Sequence, residues 1–152
     1  MLTGLGKSGV VAKRLCVSLA STGIPCQWVH AAEWAHGDLG TLKPGDAVIM
    51  LSNSGKSTEL EAMAPHFKAR PVSLLAIIGK PDSPLDALSD ASIIAPNEGE
   101  ILGKVPSRSI VVVEAAINGL VQELVNRRGF GAAHFETNHP GGAIGDSFRP
   151  RA

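Results

Sequence analysis

The fold is decided by the stretch AVIMLSNSGKSTE, which runs from Ala47 to Glu59. Its first five residues are apolar with no polar alternation, which is typical of a parallel strand buried on both faces. Small hydroxyl residues follow, and Thr58 and Glu61 have the spacing of a capping box that begins a helix. A strand, a polar turn and a helix N-terminus in this order predict a loop that binds a phosphate group.

The rest of the chain alternates strands and helices in the same way. Apolar runs predict strands at about 1–4, 26–30, 46–51, 72–78 and 92–95. Helical spacing predicts helices from Lys7 to Ala20, from Thr58 to Ala69, from Leu85 to Leu88 and from Ser109 to Arg128, the last ended by Gly129 in a left-handed conformation. This order predicts one α/β domain with a parallel sheet between helices.

The two ends of the chain give further expectations. The first strand has only four residues before its glycine turn, fewer than the usual length of about five, so it looks clipped. After the long helix, the segment from His134 to Ala143 is expected to be a short polar tail.

Composition narrows the class of protein. The 152 residues are 44% apolar and 18% charged, which is enough for one domain with a sizeable core. Basic and acidic residues both number 14 and aromatics are sparse, so no nucleic-acid partner is expected. No signal peptide is seen, and no apolar run approaches the roughly 20 residues of a membrane span. Cys16 and Cys26 form no short-spaced motif and are expected to be buried, reduced thiols of a cytoplasmic protein.

Glycines near the N-terminus satisfy the G-x-G-x-x-G spacing of dinucleotide-binding turns, from Gly4 to Gly9. The acid expected roughly 20 residues later is absent, because His30 stands at the end of the second predicted strand. A nicotinamide-binding domain would also leave residues 52–57, the serine loop, without a role. The glycine turn is therefore better explained by another kind of phosphate ligand.

Four motifs carry a more specific resemblance: TGLGKSG at 3–9, HGDLG at 36–40, SNSG at 52–55 and NHPGGAIG at 138–145. Together, and in this order, they resemble the sugar isomerase (SIS) domain of arabinose-5-phosphate isomerases. The resemblance implies a three-layer α/β/α sandwich with a five-stranded parallel sheet. It also implies interconversion of D-ribulose 5-phosphate and D-arabinose 5-phosphate through an enediol, without a cofactor. Residues 1–152 would be a single SIS domain, without the helices that precede it and the pair of CBS domains that often follows it in this family.

The resemblance also implies which residues act. A catalytic set gathered partly across subunits would comprise Lys7, His36, Glu59, Glu98 and His139. The phosphate would be held by Ser8, Ser52, Asn53, Ser54 and Ser57. Either Glu59 or Glu98 could be the base at the sugar carbon, with His139 moving protons between oxygens and Lys7 stabilising the enediolate. No tight histidine spacing supports a metal cofactor.

Simpler explanations compete with these roles. Glu59 could merely complement the dipole of its helix, Glu98 could be a solvated loop acid, and His36 could cap a turn or pair with Asp38. The chain also departs from the family pattern at Lys56 and at residues 106–111, where Arg108 intrudes into a helix start usually rich in serine and threonine. The main prediction is an isomerase that forms a homo-oligomer, a dimer or a tetramer. The alternative is a non-catalytic SIS module that senses a sugar phosphate.

Overall fold

A computed structural model describes residues 1–149 and shows a parallel sheet between two layers of helices. The strands are β1 (Leu2–Gly4), β2 (Trp28–His30), β3 (Ala47–Ser52), β4 (Ser73–Ile78) and β5 (Ala91–Ile94). The helices are α1 (Gly6–Ser21), α2 (Thr58–Lys68), α3 (Pro84–Leu88), α4 (Arg108–Arg128), α5 (Ala132–Thr137) and α6 (Gly142–Ser147). Short 3-10 turns at Glu33–His36 and Asp38–Thr41 lie between β2 and β3. All five predicted strands and the four predicted helices are confirmed.

The sheet has the order β2-β1-β3-β4-β5, with every neighbouring pair parallel. Alternate residues of β3 face opposite layers: Val48 and Met50 belong to a core shared with α2 and the first 3-10 turn, and Ile49 and Leu51 to a core shared with α1 and α4. Because both faces of the strand are buried, its sequence carries no polar alternation.

The side with α2 is anchored by Trp34, which is fully buried. Its ring packs edge-on against Phe67 with centroids 5.0 Å apart, and its Nε1 donates to Thr3 Oγ1 at 2.9 Å. This bond satisfies the indole nitrogen of the largest core residue and ties the first 3-10 turn to β1.

Three sequence expectations fail. The polar tail predicted from His134 to Ala143 instead contains most of α5 and the start of α6. Their six-residue length gives too few turns for helical periodicity to show in the sequence. The capping box is also absent, because Ser57 rather than Thr58 is the N-cap of α2 and no side chain caps it. Cys16 is buried as expected, whereas Cys26 is only half-buried; burial and the neighbouring Cys16 raise the pKa of Cys26 to about 12.

One helix of residues 1–149, α4, is long and apolar enough to cross a membrane by length and composition alone. A core helix of a globular domain passes the same test. In this structure α4 packs beside α1, where Arg14 pairs with Glu114 and donates to Asn118 Oδ1 at 2.9 Å. The expectation that no run approaches the length of a span is therefore too strong for this helix.

Candidate functional site

The sheet topology selects one crevice for a ligand. The connection after β1 leads to β2 on one side, and β3 returns to the other side of β1. In open α/β sheets, ligands bind outside the carboxyl ends of strands at such a switch point. Here those ends are Gly4 of β1 and Ser52 of β3, so the glycine turn and the serine loop face each other.

The serine loop is folded by its own hydroxyls. Ser52 Oγ lies 2.8 Å from Ser57 Oγ and accepts a hydrogen bond from the Gly55 amide at 3.2 Å. Ser54 Oγ accepts from the Lys56 amide at 3.2 Å. Gly55 has a φ of +65°, which favours glycine, and a Cβ there would collide with Ser83 Oγ. The loop is therefore compact and brings three hydroxyls to one side.

Between the glycine turn and the serine loop is a pocket of about 300 Å³. Its walls come from the first turn of α1, the serine loop and the first turns of α4. The polar lining residues are Lys7, Ser8, Ser52, Asn53, Ser54, Ser57 and Ser109, and the apolar ones are Leu5, Val11, Pro106, Ile110 and Val113. All five predicted phosphate ligands and Lys7 thus meet in one cavity.

The pocket has the electrostatics of an anion site. It lies at the N-terminal ends of α1, α2 and α4, where unpaired backbone amides and the helix dipoles favour negative charge. Lys7 adds a positive charge at its edge. Ser109 is buried in the same wall, and its amide donates to Glu100 at 3.2 Å.

The start of α4 is held by a residue that sequence reasoning gave no role. The Glu100 carboxylate accepts hydrogen bonds from the Ser107 amide at 2.6 Å, the Ser107 hydroxyl at 2.7 Å and the Ser109 amide at 3.2 Å. Ser109 and Ser107 together lower the pKa of Glu100 to about 2, because their donors favour the ionised carboxylate. Glu100 therefore caps α4 across the loop and fixes the pocket wall that carries Ser109.

The two candidate bases border the pocket without lining it. Glu59 is exposed in the first turn of α2, and its Oε2 accepts from Thr58 Oγ1 at 3.2 Å. Glu98 lines an adjoining groove with Asn97 and Arg108. The groove and the pocket are joined by the hydrogen bond from Asn97 Nδ2 to Asn53 Oδ1, of 2.8 Å. Arg108 thus lines the Glu98 groove and not the phosphate pocket.

The two candidate histidines lie elsewhere. His36 is exposed at the end of the first 3-10 turn, after β2. His139 lies between α5 and α6, stacked on Phe135 with centroids 3.9 Å apart, and its Nδ1 is 2.8 Å from the Phe135 carbonyl oxygen.

The neighbouring residue Asn138 shows how far His139 lies from the pocket. Asn138 donates to the carbonyl of Ser21, the last residue of α1, at 3.2 Å. Ser8 lies in the first turn of α1, and at 1.5 Å per residue Ser21 is about 20 Å from it. Within one chain, His139 and the pocket are therefore at opposite ends of α1.

Among residues 1–149, no group of three or more histidine, cysteine or acidic side chains is placed to hold a metal ion.

Comparison with known proteins gives the family. The sequence model of the SIS domain matches residues 1–121, so the chain belongs to the SIS domain family. It is 39% identical over 147 residues to the arabinose 5-phosphate isomerase KdsD of Escherichia coli K12, and 37% identical over 147 residues to the arabinose 5-phosphate isomerase GutQ of Salmonella typhi. These alignments cover 95% of this chain but 45% and 46% of the relatives, so the chain spans about half the length of the curated proteins it matches.

A solved structure supports the same fold. A protein of E. coli CFT073, solved in complex with arabinose 5-phosphate, superimposes with a TM-score of 0.86 at 35% identity. The match covers 91% of this chain and 75% of that one.

Proposed function

We propose that this chain is a single SIS domain over residues 1–152 that binds a five-carbon sugar phosphate and isomerises it between D-ribulose 5-phosphate and D-arabinose 5-phosphate. The observation that carries the proposal is the 300 Å³ pocket, in which all the expected phosphate ligands meet at helix N-termini. The relatives' names and the complex of the E. coli protein with arabinose 5-phosphate support the choice of sugar.

The phosphate end of the substrate is assigned to the serine loop. Uncharged hydroxyls and backbone amides surround a dianion without neutralising the acids that must move protons. Asn53 adds a donor from the wall of the same pocket. Lys7 lies at the edge of the same pocket, within reach of charge that develops on the sugar oxygens.

The reaction is a proton transfer between adjacent carbons. A carboxylate, Glu59 or Glu98, takes the proton from the carbon next to the carbonyl, and the carbonyl oxygen gains a proton to give an enediol. A proton then returns to the neighbouring carbon as the carbonyl forms on the other oxygen. No electron leaves the substrate, so the chemistry needs no redox cofactor, and Lys7 supplies the positive charge that stabilises the enediolate.

His139 requires a second subunit. His139 cannot reach the pocket of its own chain, because Asn138 holds it beside the far end of α1. We therefore assign His139, and with it His36, to a site completed by another copy in a homo-oligomer of a cytoplasmic protein. In that site His139 would move protons between the sugar oxygens.

Incubation with ribulose 5-phosphate in deuterium oxide tests this function. An enediol route gives arabinose 5-phosphate that carries deuterium at the carbon where the proton returns, and Glu59→Gln should lower the rate by about 10²–10⁴-fold while binding persists. A chain that binds ribulose 5-phosphate yet neither isomerises it nor incorporates deuterium would be a sensor module instead.

A further inference from the structure

A short chain of hydrogen bonds runs from the end of β5 to the wall of the phosphate pocket. Asn97 Nδ2 donates to the Ala95 carbonyl at 2.9 Å and to Asn53 Oδ1 at 2.8 Å. Both asparagines are partly buried, and Asn53 lines the pocket. We refer to this pair of bonds as the asparagine latch.

The latch fixes which way round each amide lies. A backbone carbonyl only accepts, so the Asn97 atom that faces Ala95 must be its nitrogen. The second hydrogen of that nitrogen then points to Asn53, and the Asn53 atom that receives it must be the oxygen. The orientation of both amides thus follows from one acceptor that cannot be reversed.

The other end of the Asn53 amide is consequently a donor. Its Nδ2 has no hydrogen-bond partner among residues 1–149, although the residue is partly buried in the pocket wall. A reversed amide would present its oxygen to the ligand and repel an oxyanion. We propose that Asn97 is a positioning residue that turns the Asn53 amide so that its NH₂ group donates to the bound phosphate. This inference rests on the proposed phosphate pocket.

Gly79 provides the space that the latch needs. Its amide donates to the Asn53 carbonyl at 3.0 Å, which ties the end of β4 to the serine loop. A Cβ on Gly79 would collide with Asn53 Oδ1, and it would lie 2.7 Å from the Asn53 carbonyl oxygen and 2.8 Å from Asn97 Nδ2. Alanine at this position is therefore expected to displace the Asn53 backbone together with the latch, although both asparagine side chains remain.

Two variants and one control test the latch. Asn97→Leu removes the donor and keeps a similar volume, so it tests the latch alone. Gly79→Ala displaces the latch together with the Asn53 backbone. Gly119→Ala is the matched control, because a Cβ at Gly119 meets nothing within 4 Å. Far-ultraviolet circular dichroism checks that each variant is folded.

The probe is inorganic phosphate, followed by the side-chain ¹⁵N–¹H signals of Asn53 and by calorimetric titration. In the unsubstituted chain, phosphate should shift both the loop amides from Ser54 to Ser57 and the Asn53 NH₂ pair. Asn97→Leu and Gly79→Ala should each abolish the NH₂ shift and weaken phosphate binding about ten-fold, the effect of losing one hydrogen bond to a charged group. Gly119→Ala should leave both unchanged.

The outcomes separate this inference from the proposed function. If phosphate shifts the loop amides but not the Asn53 NH₂ pair, or if Asn97→Leu binds phosphate as tightly as the unsubstituted chain, the role of Asn97 is wrong and the pocket stands. If phosphate shifts none of these signals, the phosphate pocket itself is wrong and the latch has no ligand to serve.

Discussion

The residue at the N-cap position of α4, Ser107, makes no side-chain hydrogen bond to the helix, and Glu100 caps the helix instead. Ser107 has φ −146° and ψ −76°, outside the extended region that N-cap residues usually adopt, and its hydroxyl donates to Glu100 instead of accepting from the helix. A carboxylate seven residues upstream thus replaces the local cap and complements the helix dipole.

This cap predicts a pH-dependent stability. The pKa of Glu100 is lowered from 4.5 to about 2 in the folded chain, so its contribution is fully present above pH 4.5 and is lost as the pH falls through about 2. Glu100→Gln should therefore unfold at lower urea concentration than the unsubstituted chain at pH 7, and the difference should shrink below pH 4.5. Glu123→Gln, which removes an exposed pair with Arg127 on the same helix, is the control and should change little. A gap between the Glu100 variant and the unsubstituted chain that stays constant down to about pH 2 would contradict the assignment.

A second residue-scale prediction concerns Ser54, which is exposed at the pocket and, within the described part of the chain (1–149), is bonded only to a backbone amide of its own loop. Ser54→Ala should weaken binding of ribulose 5-phosphate by about ten- to a hundred-fold, since a hydrogen bond to a charged group contributes roughly 1.5–3 kcal/mol. Calorimetric titration measures the change. Unchanged affinity would remove Ser54 from the phosphate ligands.

The serine loop and the glycine turn could be predicted from the sequence. The serine loop and the glycine turn are local, so their spacing alone predicts donors at helix N-termini. Asn97 contacts Asn53, which is 44 positions away in the sequence, and Glu100 contacts Ser107 and Ser109, which are seven and nine positions away. These contacts exist only once the loop has folded. Nothing in a single sequence distinguishes Asn97 and Glu100 from neighbouring polar residues such as Glu98.

At the scale of elements, the glycine turn is explained by close packing of α1 on β1. A Cβ on Gly9 would lie 2.9 Å from the Gly4 carbonyl oxygen, and a Cβ on Gly4 would lie 3.1 Å from the Gly9 nitrogen. The turn lets the helix start directly above its strand, which brings Ser8 into the pocket.

Gly9→Ala should therefore force α1 away from β1. Such overpacking typically costs about 1–3 kcal/mol, and we expect a loss of this size in urea unfolding together with weaker sugar-phosphate binding. Gly119→Ala, in an open position of α4, should instead stabilise the chain by roughly 0.5–1 kcal/mol. A Gly9 variant as stable as its parent would mean that the close approach is not needed.

The length of an element helps to explain whether the sequence predicted it. The buried strands and the long helices were predicted within a few residues, because hydrophobic runs and helical spacing report burial directly. The helices α5 and α6 were missed because six residues give less than two turns of periodicity. What holds α5 in place is tertiary: Asn138, just beyond its end, bonds to Ser21, and Phe130, just before its start, lies against Gly23.

For the whole molecule, exposed apolar residues form a strip along α1 and α4. Val10 and Val17 are 70% and 65% exposed on one face of α1, and Val111 is 69% exposed on α4. A groove between these helices is lined by Val10 and Ile110 and edged by the ion pair of Arg14 and Glu114. Exposed apolar surface of this kind marks a site of association.

We expect a second copy to cover this strip. Sedimentation at micromolar concentration should give at least a dimer, and Val111→Glu should shift it to a folded monomer because a buried charge opposes association. Ala62→Glu, on the exposed side of α2 across the sheet, is the control and should leave the mass unchanged. A folded monomer for the unsubstituted chain would rule out this interface.

The final prediction asks whether two copies share one active site. Glu59 lies at the pocket end of the molecule, and His139 lies beside the far end of α1, which extends about 20 Å from Ser8 to Ser21. If the site joins Glu59 of one subunit to His139 of another, a heterodimer of Glu59→Gln and His139→Asn contains one doubly substituted site and one intact site. Unfolding and refolding an equal mixture should then restore about a quarter of the unsubstituted activity, since half of the dimers are mixed and each carries one working site of two. Each variant refolded alone provides the baseline. If both residues act within one chain, or if His139 has no part in the reaction, the mixture will show no more activity than the average of the two variants refolded separately.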